Sequence, residues 1–174
     1  MHIKNILLTG KPGCGKTTLI KQIIEELGLD AGGFYTLEIR REGKREGFKI
    51  ITLDGKEGLL AHVNIRSPYR VSKYGVDIKN LEEIGVKSIL DALEKNKVIV
   101  IDEIGKMELF SEQFRNAVLA ALDSQSKVLA TIMLAANPFA DEIKKRQDVK
   151  LFYLTPENRK KVKEEIKAIF QQSL

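Results

Sequence analysis

The sequence predicts an α/β fold in which a mostly parallel central sheet carries helices on both faces. Three observations support this class. Apolar runs of strand length alternate with amphipathic stretches of helical length along most of the chain. A glycine-rich turn separates the first strand from the first helix. Residues 33–78 instead alternate with a period of two, which predicts an antiparallel strand extension attached to the parallel sheet.

The length and composition indicate one globular domain over residues 1–174, with 43% hydrophobic and 30% charged residues. A single cysteine, Cys14, excludes an internal disulfide and suits a reducing compartment. Because no second thiol could resolve an oxidised state, we interpret Cys14 as a small residue that fits its loop, the alternative being a redox switch. The chain opens directly into a strand and has no bilayer-length apolar run, so we expect a cytoplasmic protein without a membrane partner.

The net charge of +5 is a mild basic excess. A solvated surface and a site for a polyanionic nucleotide account for such an excess. No basic run is interleaved with aromatic residues, so the sequence leaves nucleic-acid binding open without supporting it.

The first half of the chain begins with a buried strand in "IKNILLTG", followed by a helix from about residue 15 to 27 that Gly28 caps. Two alternating strands follow in "GFYTLEIRREGKREGFKIITLDG", joined by the turn-prone "REGKREG". A third strand, "KEGLLAHVNI", comes after the Asp54–Gly55 turn. These three strands form the predicted antiparallel extension.

The second half returns to the alternation of helices and strands. The predicted elements are a helix over about 80–95, the strand "KVIVIDEIG", a helix over about 111–123, the strand "KVLATIML", a short helix after Pro138, the strand "VKLFYLT" and a final helix over about 156–170. We find no repeat, low-complexity tract or linker.

The stretch "GKPGCGKTT", residues 10–18, fits the phosphate-loop pattern G-x-x-x-x-G-K-[ST] between a strand and a helix. Glycines let the backbone turn successive N–H groups towards phosphate oxygens, and the helix N-terminus adds its positive dipole. Lys16 is expected to reach the β- and γ-phosphates, and the Thr17 hydroxyl to bind Mg²⁺. The residues assigned to nucleotide binding in this stretch are Gly10, Lys11, Pro12, Gly13, Cys14, Gly15, Lys16, Thr17 and Thr18.

Two carboxylates, Asp102 and Glu103, end the apolar strand 98–101, where open α/β sheets bind ligands. We expect Asp102 to hold Mg²⁺ together with Thr17, and Glu103 to contact the nucleotide and activate the attacking nucleophile. A glutamate beside the metal aspartate favours water as the nucleophile. The chain contains no N-K-x-D or L-S-G-G-Q motif and has no room for a helical lid domain, which disfavours Ras-like, transporter and ring-forming classes.

Six stretches together resemble one family from about residue 3 to 165: "GKPGCGKTTLI", "GGFYTLEIR", "GFKIITLDG", "KYGVDI", "VIVIDEIGKMELFS" and "RQDVKLFYLTPENR". They are similar to the THEP1 family of nucleoside triphosphatases, the cancer-related NTPase group. The resemblance implies a RecA-like P-loop NTPase fold and slow, Mg²⁺-dependent hydrolysis of ATP, GTP and other NTPs, with broad base tolerance. One departure is Ser72, where family members often carry glycine.

Two basic residues outside the core motifs are further catalytic candidates. Lys106 is close enough to the carboxylates to approach the γ-phosphate, or it pairs with Glu108. Arg146, just before the last strand, could fold over the nucleotide and stabilise charge, or it pairs with Asp148. With these, the predicted catalytic set is Lys16, Glu103, Lys106 and Arg146.

The loop "TPENR", residues 155–159, follows the last strand. Asn158 and Arg159 are expected to border the base of the nucleotide. The same stretch reads as an ordinary helix start with Thr155 as N-cap and Pro156 in the first turn, and both readings are compatible.

Three functions stay open on the residues alone. The first is a monomeric hydrolase of nucleoside triphosphates. The second is a kinase for a small molecule or nucleic-acid end, in which Glu103 deprotonates an acceptor hydroxyl. The third is a nucleotide-dependent switch that binds nucleic acid or protein, supported only by the basic turn "RREGKR".

Overall fold

The computed structural model describes residues 3–172 and arranges them around one mixed sheet. Its strands are β1 Asn5–Thr9, β2 Ala31–Arg41, β3 Lys44–Thr52, β4 Glu57–His62, β5 Arg70–Val71, β6 Tyr74–Val76, β7 Val98–Ile104, β8 Val128–Ile132 and β9 Val149–Tyr153. Within the described residues their order across the sheet is β5-β6-β4-β3-β2-β7-β8-β1-β9.

The helices connect and cover these strands. They are α1 Lys16–Leu27, α2 Ile78–Asn80, a π-helical segment Leu81–Val86, α3 Lys87–Glu94, a 3₁₀ turn Glu108–Phe110, α4 Glu112–Asp123, α5 Pro138–Lys144 and α6 Arg159–Gln172. Gly28 ends α1 in the left-handed conformation, as the sequence predicts.

The sheet has a parallel half and an antiparallel half that share β2. The first residues of β2 pair in parallel with β7, while nearly the whole strand pairs with β3 in an antiparallel hairpin. Gly33 permits the junction, because a Cβ there would lie 1.9 Å from the Val100 carbonyl oxygen. At the hairpin tip Glu42 and Gly43 both have positive φ, as a type I′ turn requires. The predicted α/β class and antiparallel extension are confirmed.

The core has two layers, one on each face of the sheet, because successive strand residues point to opposite faces. On β1, Leu7 packs against the face covered by α3 and α4, through residues such as Phe114. Ile6 and Leu8 pack against the other face, which α1 and α6 cover. The helices on both faces follow the prediction.

The structure differs from the predicted elements in three places. The helix expected over 80–95 begins at Ile78 and passes through the π-helical segment before α3. The short strands β5 and β6 and the 3₁₀ turn were not predicted, because two or three residues carry no measurable periodicity.

The third difference is the start of the last helix. Thr155 and Asn158 exchange hydrogen bonds, each backbone N–H donating to the other side chain at 2.8 and 3.2 Å. This closed turn delays α6 until Arg159, three residues after the predicted start at Pro156. No helix in residues 3–172 combines the length and apolar character needed to cross a bilayer.

Candidate active site

The phosphate loop joins β1 to α1 at the carboxyl edge of the parallel strands. Gly13 and Gly15 have φ of 78° and 89°, a region that residues with a Cβ rarely adopt. Gly10 has a φ of 151°, and a Cβ there would come within 2.7 Å of the Leu154 carbonyl oxygen. Residues 11–13 and Thr18 are exposed, whereas Lys16 and Thr17 are half-buried. The middle of the loop, residues 11–13, is therefore open to solvent.

Lys16, the first residue of α1, folds back across the loop. Its ammonium donates hydrogen bonds to the carbonyl oxygens of Gly10 at 2.9 Å and Lys11 at 3.3 Å. Cys14 Sγ lies 3.9 Å from the same ammonium. The loop thus carries a fixed positive charge next to the helix N-terminus, an arrangement that attracts phosphate.

Asp102 is a buried charged group of the site, with 4% of its surface exposed. The Thr17 hydroxyl donates to Asp102 Oδ2 at 2.5 Å, and the Thr131 hydroxyl donates to Oδ1 at 2.7 Å. Burial raises the pKa of Asp102, while these two hydroxyls and the charge of Lys16 oppose the rise. One carboxylate is therefore held rigidly against the first turn of α1.

An irregularity in β7 accommodates the two adjacent carboxylates. Ile101 pairs with Ala130 and Ile104 with Ile132, so β7 contains one residue more than β8 over this stretch. Such a bulge re-aims side chains at a strand end. The peptide bond between Asp102 and Glu103 is cis.

Glu103 lies beside Asp102 and folds back over Gly105. A Cβ on Gly105 would come within 2.7 Å of Glu103 Cγ and Oε1, so glycine leaves the space that this side chain uses. Burial, followed by the negative charge of Asp102, raises the pKa of Glu103. A carboxylate with a raised pKa is a better proton acceptor, as a general base requires.

Glu108, in the 3₁₀ turn, is a third carboxyl group of this region and is 4% exposed. Burial and then the charge of Glu103 raise its pKa well above the ordinary value, against backbone hydrogen bonds that lower it. The pair between Lys106 and Glu108, one of the two alternatives for Lys106, is not formed within residues 3–172. Lys106 is exposed and makes no ion pair with any residue of 3–172.

Arg159, the first residue of α6, contacts the backbone of the phosphate loop. Its guanidinium donates to the Gly15 carbonyl oxygen at 2.9 Å and to Gln22 Oε1 at 3.0 Å. Asn158 instead serves the turn before α6, since its side-chain amide donates to the Tyr153 carbonyl oxygen at 2.8 Å. Arg159 thus supports the backbone of the phosphate loop, whereas the hydrogen bonds of the Asn158 side chain stay within the turn before α6.

Arg146 lies at the other edge of the sheet, which corrects the expectation that it folds over the nucleotide. Its guanidinium donates to both carboxylate oxygens of Asp148 at 2.9 Å and to Asp123 at 2.7 Å. The carbonyl of Asp148 accepts from Asn5, the first residue of β1, whereas the phosphate loop follows the last residue of β1. Because β9 runs parallel to β1, residues before β9 lie at the amino edge. The pair with Asp148, the alternative expectation, is present.

The structure adds site residues that the sequence motifs did not reveal. Thr131 on β8 donates to Asp102, and Tyr35 on β2 has its pKa raised to about 12 by burial and then by the charge of Asp102. Glu108 joins them. Thr131 lies outside the quoted motifs, and Tyr35 lies within the stretch "GGFYTLEIR" without an assigned role, so the strand order alone places both at the site. Glu108 was named only as an alternative partner of Lys106. A signal existed for Thr131, a polar residue inside the apolar run of β8.

A glycine-rich loop between β1 and α1 has a threonine hydroxyl bonded to an aspartate on β7, a parallel strand separated from β1 by β8. This arrangement defines a P-loop nucleotide-binding protein of the α/β class. Residues 5–167 match the NTPase_1 family model, described as NTPase. The chain belongs to this family, whose curated relatives carry the name nucleoside-triphosphatase THEP1.

Three relatives illustrate the similarity. The nucleoside-triphosphatase THEP1 of Thermotoga sp. strain RQ2 is 53% identical over 166 residues, which cover 95% of each chain. The crystal structure of THEP1 from the hyperthermophile Aquifex aeolicus matches with a TM-score of 0.84 and 41% identity over 93% of this chain and 96% of that one. The solution structure of a human cancer-related nucleoside triphosphatase matches with a TM-score of 0.83 and 40% identity over 98% and 99% of the two chains.

Proposed function

We propose that this protein is a Mg²⁺-dependent nucleoside triphosphatase that converts ATP, GTP and other NTPs to NDP and phosphate. The observation that carries the proposal is the position of Glu103, next to an aspartate that the first turn of α1 holds by a 2.5 Å hydrogen bond from Thr17. This puts a candidate general base one residue from the candidate metal ligand. The names of the relatives support the same activity.

The phosphate-binding role falls to the loop. Backbone N–H groups of residues 10–17 and the ammonium of Lys16 provide the donors and charge that β- and γ-phosphates need. The carbonyl oxygens that now accept from Lys16 compete only weakly with a triphosphate, because a phosphate oxygen carries a formal charge. Lys106, exposed and without an ion pair in the described chain, is proposed to approach the γ-phosphate from the other side.

The residues present fit Mg²⁺. This ion takes one or two carboxylates, keeps several waters and binds substrate phosphates, so a site of one carboxylate and one hydroxyl is suitable. Asp102 and Thr17 provide that pair, and residues 3–172 contain no cluster of three or more His, Cys, Asp or Glu that would indicate a different metal. When bound, the ion neutralises charge that develops on the phosphate oxygens.

Glu103 is proposed to accept the proton of the attacking water. As the water oxygen bonds to the γ-phosphorus, the bond from that phosphorus to the bridging oxygen breaks, NDP leaves, and the proton passes to the Glu103 carboxylate. Asn158 and Arg159 border the nucleotide at the loop edge, and Arg159 keeps the loop in shape through the Gly15 carbonyl. We further infer that residues 1–174 act as one cytoplasmic, monomeric domain with low turnover.

The test is Glu103→Gln assayed for phosphate release from ATP and GTP with Mg²⁺ and no added acceptor. Loss of a general base should slow turnover by about a hundredfold or more while nucleotide binding stays nearly intact. Glu165→Gln, on an exposed position of α6, is the matched control. Normal turnover in Glu103→Gln would show that the base is a different group.

A further inference from the structure

A cavity of about 170 Å³ opens beside Glu103, between the antiparallel extension and the segment that follows β7. Its apolar walls come from three strands of the extension, with Phe48 on β3, Leu60 on β4 and Val71 on β5. Its polar lining consists of Thr36 on β2, the carboxyl groups of Glu103 and Glu108, and Lys106. A concave, mostly apolar space with a few convergent polar groups is the usual form of a small-molecule site.

The size of the cavity limits what can occupy it. An engineered protein cavity of about 150 Å³ holds benzene, so this one accepts a molecule of roughly six to eight non-hydrogen atoms. Val71 and Lys106 also line an open groove of about 380 Å³, so the groove adjoins the cavity. Neither lining includes a residue of the phosphate loop, so the cavity lies apart from that loop.

The lining also limits the charge of the occupant. Glu103 and Lys106 carry opposite charges, and burial raises the pKa of Glu108 and so favours its neutral form, which leaves the lining without an excess charge that would select an ion. Carboxylate and threonine oxygens of the lining can accept hydrogen bonds from hydroxyl groups of the occupant. Phe48, Leu60 and Val71 can pack against the carbon atoms of the occupant. These features together favour a neutral molecule with hydroxyl groups.

We propose that this cavity binds a small neutral polyol, and that a hydroxyl of the bound molecule lies against Glu103 and competes with water as acceptor of the γ-phosphoryl group. The inference rests on the proposed function, because it takes Glu103 as the base that faces the γ-phosphate. Glu103 removes the hydroxyl proton, the alcohol oxygen bonds to the γ-phosphorus, and the bond to the bridging oxygen breaks. The products are a phosphate monoester and NDP.

The experiment measures how the phosphoryl group divides between water and glycerol, a polyol with six non-hydrogen atoms. The full-length protein turns over MgATP in aqueous glycerol, and ³¹P NMR quantifies glycerol phosphate and inorganic phosphate. Without a binding site the product ratio follows the molar ratio of glycerol to water. We expect glycerol phosphate to exceed that ratio by about tenfold, the equivalent of one net hydrogen bond.

Two neighbours on β4 provide matched variants. Leu60 is 1% exposed and faces the cavity, whereas Leu59 is 39% exposed. Leu60→Phe fills the cavity and should lower the product ratio to the molar ratio, while Leu59→Phe should leave it at the wild-type value. If Leu60→Phe does not fold, Thr36→Val removes a polar group of the lining at nearly constant volume and should also lower the ratio.

The outcomes separate this inference from the proposed function. If phosphate is released but the ratio of glycerol phosphate to inorganic phosphate does not exceed the molar ratio of glycerol to water, the cavity is not an acceptor site. The proposed triphosphatase activity would then still hold. An excess of glycerol phosphate that persists in both Leu60→Phe and Thr36→Val would also refute the cavity. If neither product forms, the proposed function and the inference that rests on it both fail.

Discussion

At the scale of single residues, the neighbours of Asp102 determine what that carboxylate can do. Thr17 and Thr131 each donate to one of its two oxygens, so a buried charge stays paired in a fixed orientation. Thr17 is itself a candidate ligand of Mg²⁺. Thr131 is not a candidate ligand, and its contribution is to orient the carboxylate by donating to Oδ1.

Replacing Thr131 by Val should therefore weaken Mg²⁺ binding without removing a ligand. Loss of a hydrogen bond to a metal-binding carboxylate costs about 10–100-fold in metal affinity. We expect the Mg²⁺ concentration for half-maximal phosphate release to rise by that factor, and Thr131→Ser, which keeps the hydroxyl, to stay near the wild type. An unchanged Mg²⁺ dependence in Thr131→Val would contradict the orienting role.

Glu108 should make stability depend on pH. Its folded pKa is raised well above the ordinary 4.5 by burial, with Glu103, Asp102 and Lys106 nearby. The folded state therefore keeps a proton that the unfolded state releases, so the free energy of unfolding falls as pH rises from the ordinary towards the raised pKa.

Glu108→Gln removes this loss, because the amide does not ionise. In urea titrations the variant should match the wild type most closely at pH 4 and gain on it progressively as the pH rises to 8. Glu112→Gln, at an exposed position of α4, serves as the control. A stability difference that does not change with pH would mean that Glu108 titrates normally.

At the scale of elements, the predictable parts were those with a sequence period. The strands of the parallel half and helix α4, which Ser111 caps by accepting from Phe114, follow the predicted boundaries closely. The π-helical segment and the short strands β5 and β6 have no periodic signal, because tertiary contacts determine them. The turn between β5 and β6 nevertheless explains one departure from the family pattern.

Ser72 occupies that turn with a φ of 54°, in the left-handed region that glycine adopts without a steric penalty. Ser72→Gly should raise the free energy of unfolding by about 0.5–1 kcal/mol, since the steric penalty of roughly 1–2 kcal/mol exceeds the backbone entropy that glycine loses. Ser72→Ala keeps the Cβ and should show no gain. Equal stability of the glycine and alanine variants in urea unfolding would show that the turn is not strained.

At the scale of the whole molecule, the two edges of the parallel half have separate roles. The carboxyl edge carries the phosphate loop and Asp102, while the amino edge carries Arg146 with Asp148 and Asp123. Contiguous motifs revealed the first group because the loop and the carboxylate pair are each local in sequence. Thr131 and Tyr35 could not be assigned because the strand order brings them there, and Arg146 was misplaced because proximity to a strand does not specify which end.

The substitution Arg146→Met tests whether the amino edge contributes to stability but not to turnover. The substitution removes the hydrogen bonds to Asp148 and Asp123 but keeps an apolar stem, so it should lower the free energy of unfolding by about 1–2 kcal/mol. Turnover of MgATP should change less than about twofold, since the phosphate loop lies roughly 15 Å away along β1. A folded variant with much slower turnover would return Arg146 to the catalytic set.

The long strand β2 has a practical consequence. Ala31–Phe34 pair with β7 on one side, whereas residues from Phe34 to Arg41 pair with β3 on the other, so the turn at Glu42 and Gly43 is the far end of the β2–β3 hairpin. The last residue of β2 lies roughly 23 Å beyond Phe34, at 3.3 Å per residue. A dye or surface-tethering peptide spliced between Glu42 and Gly43 would therefore give single-molecule instruments a handle on this enzyme at the tip of that hairpin.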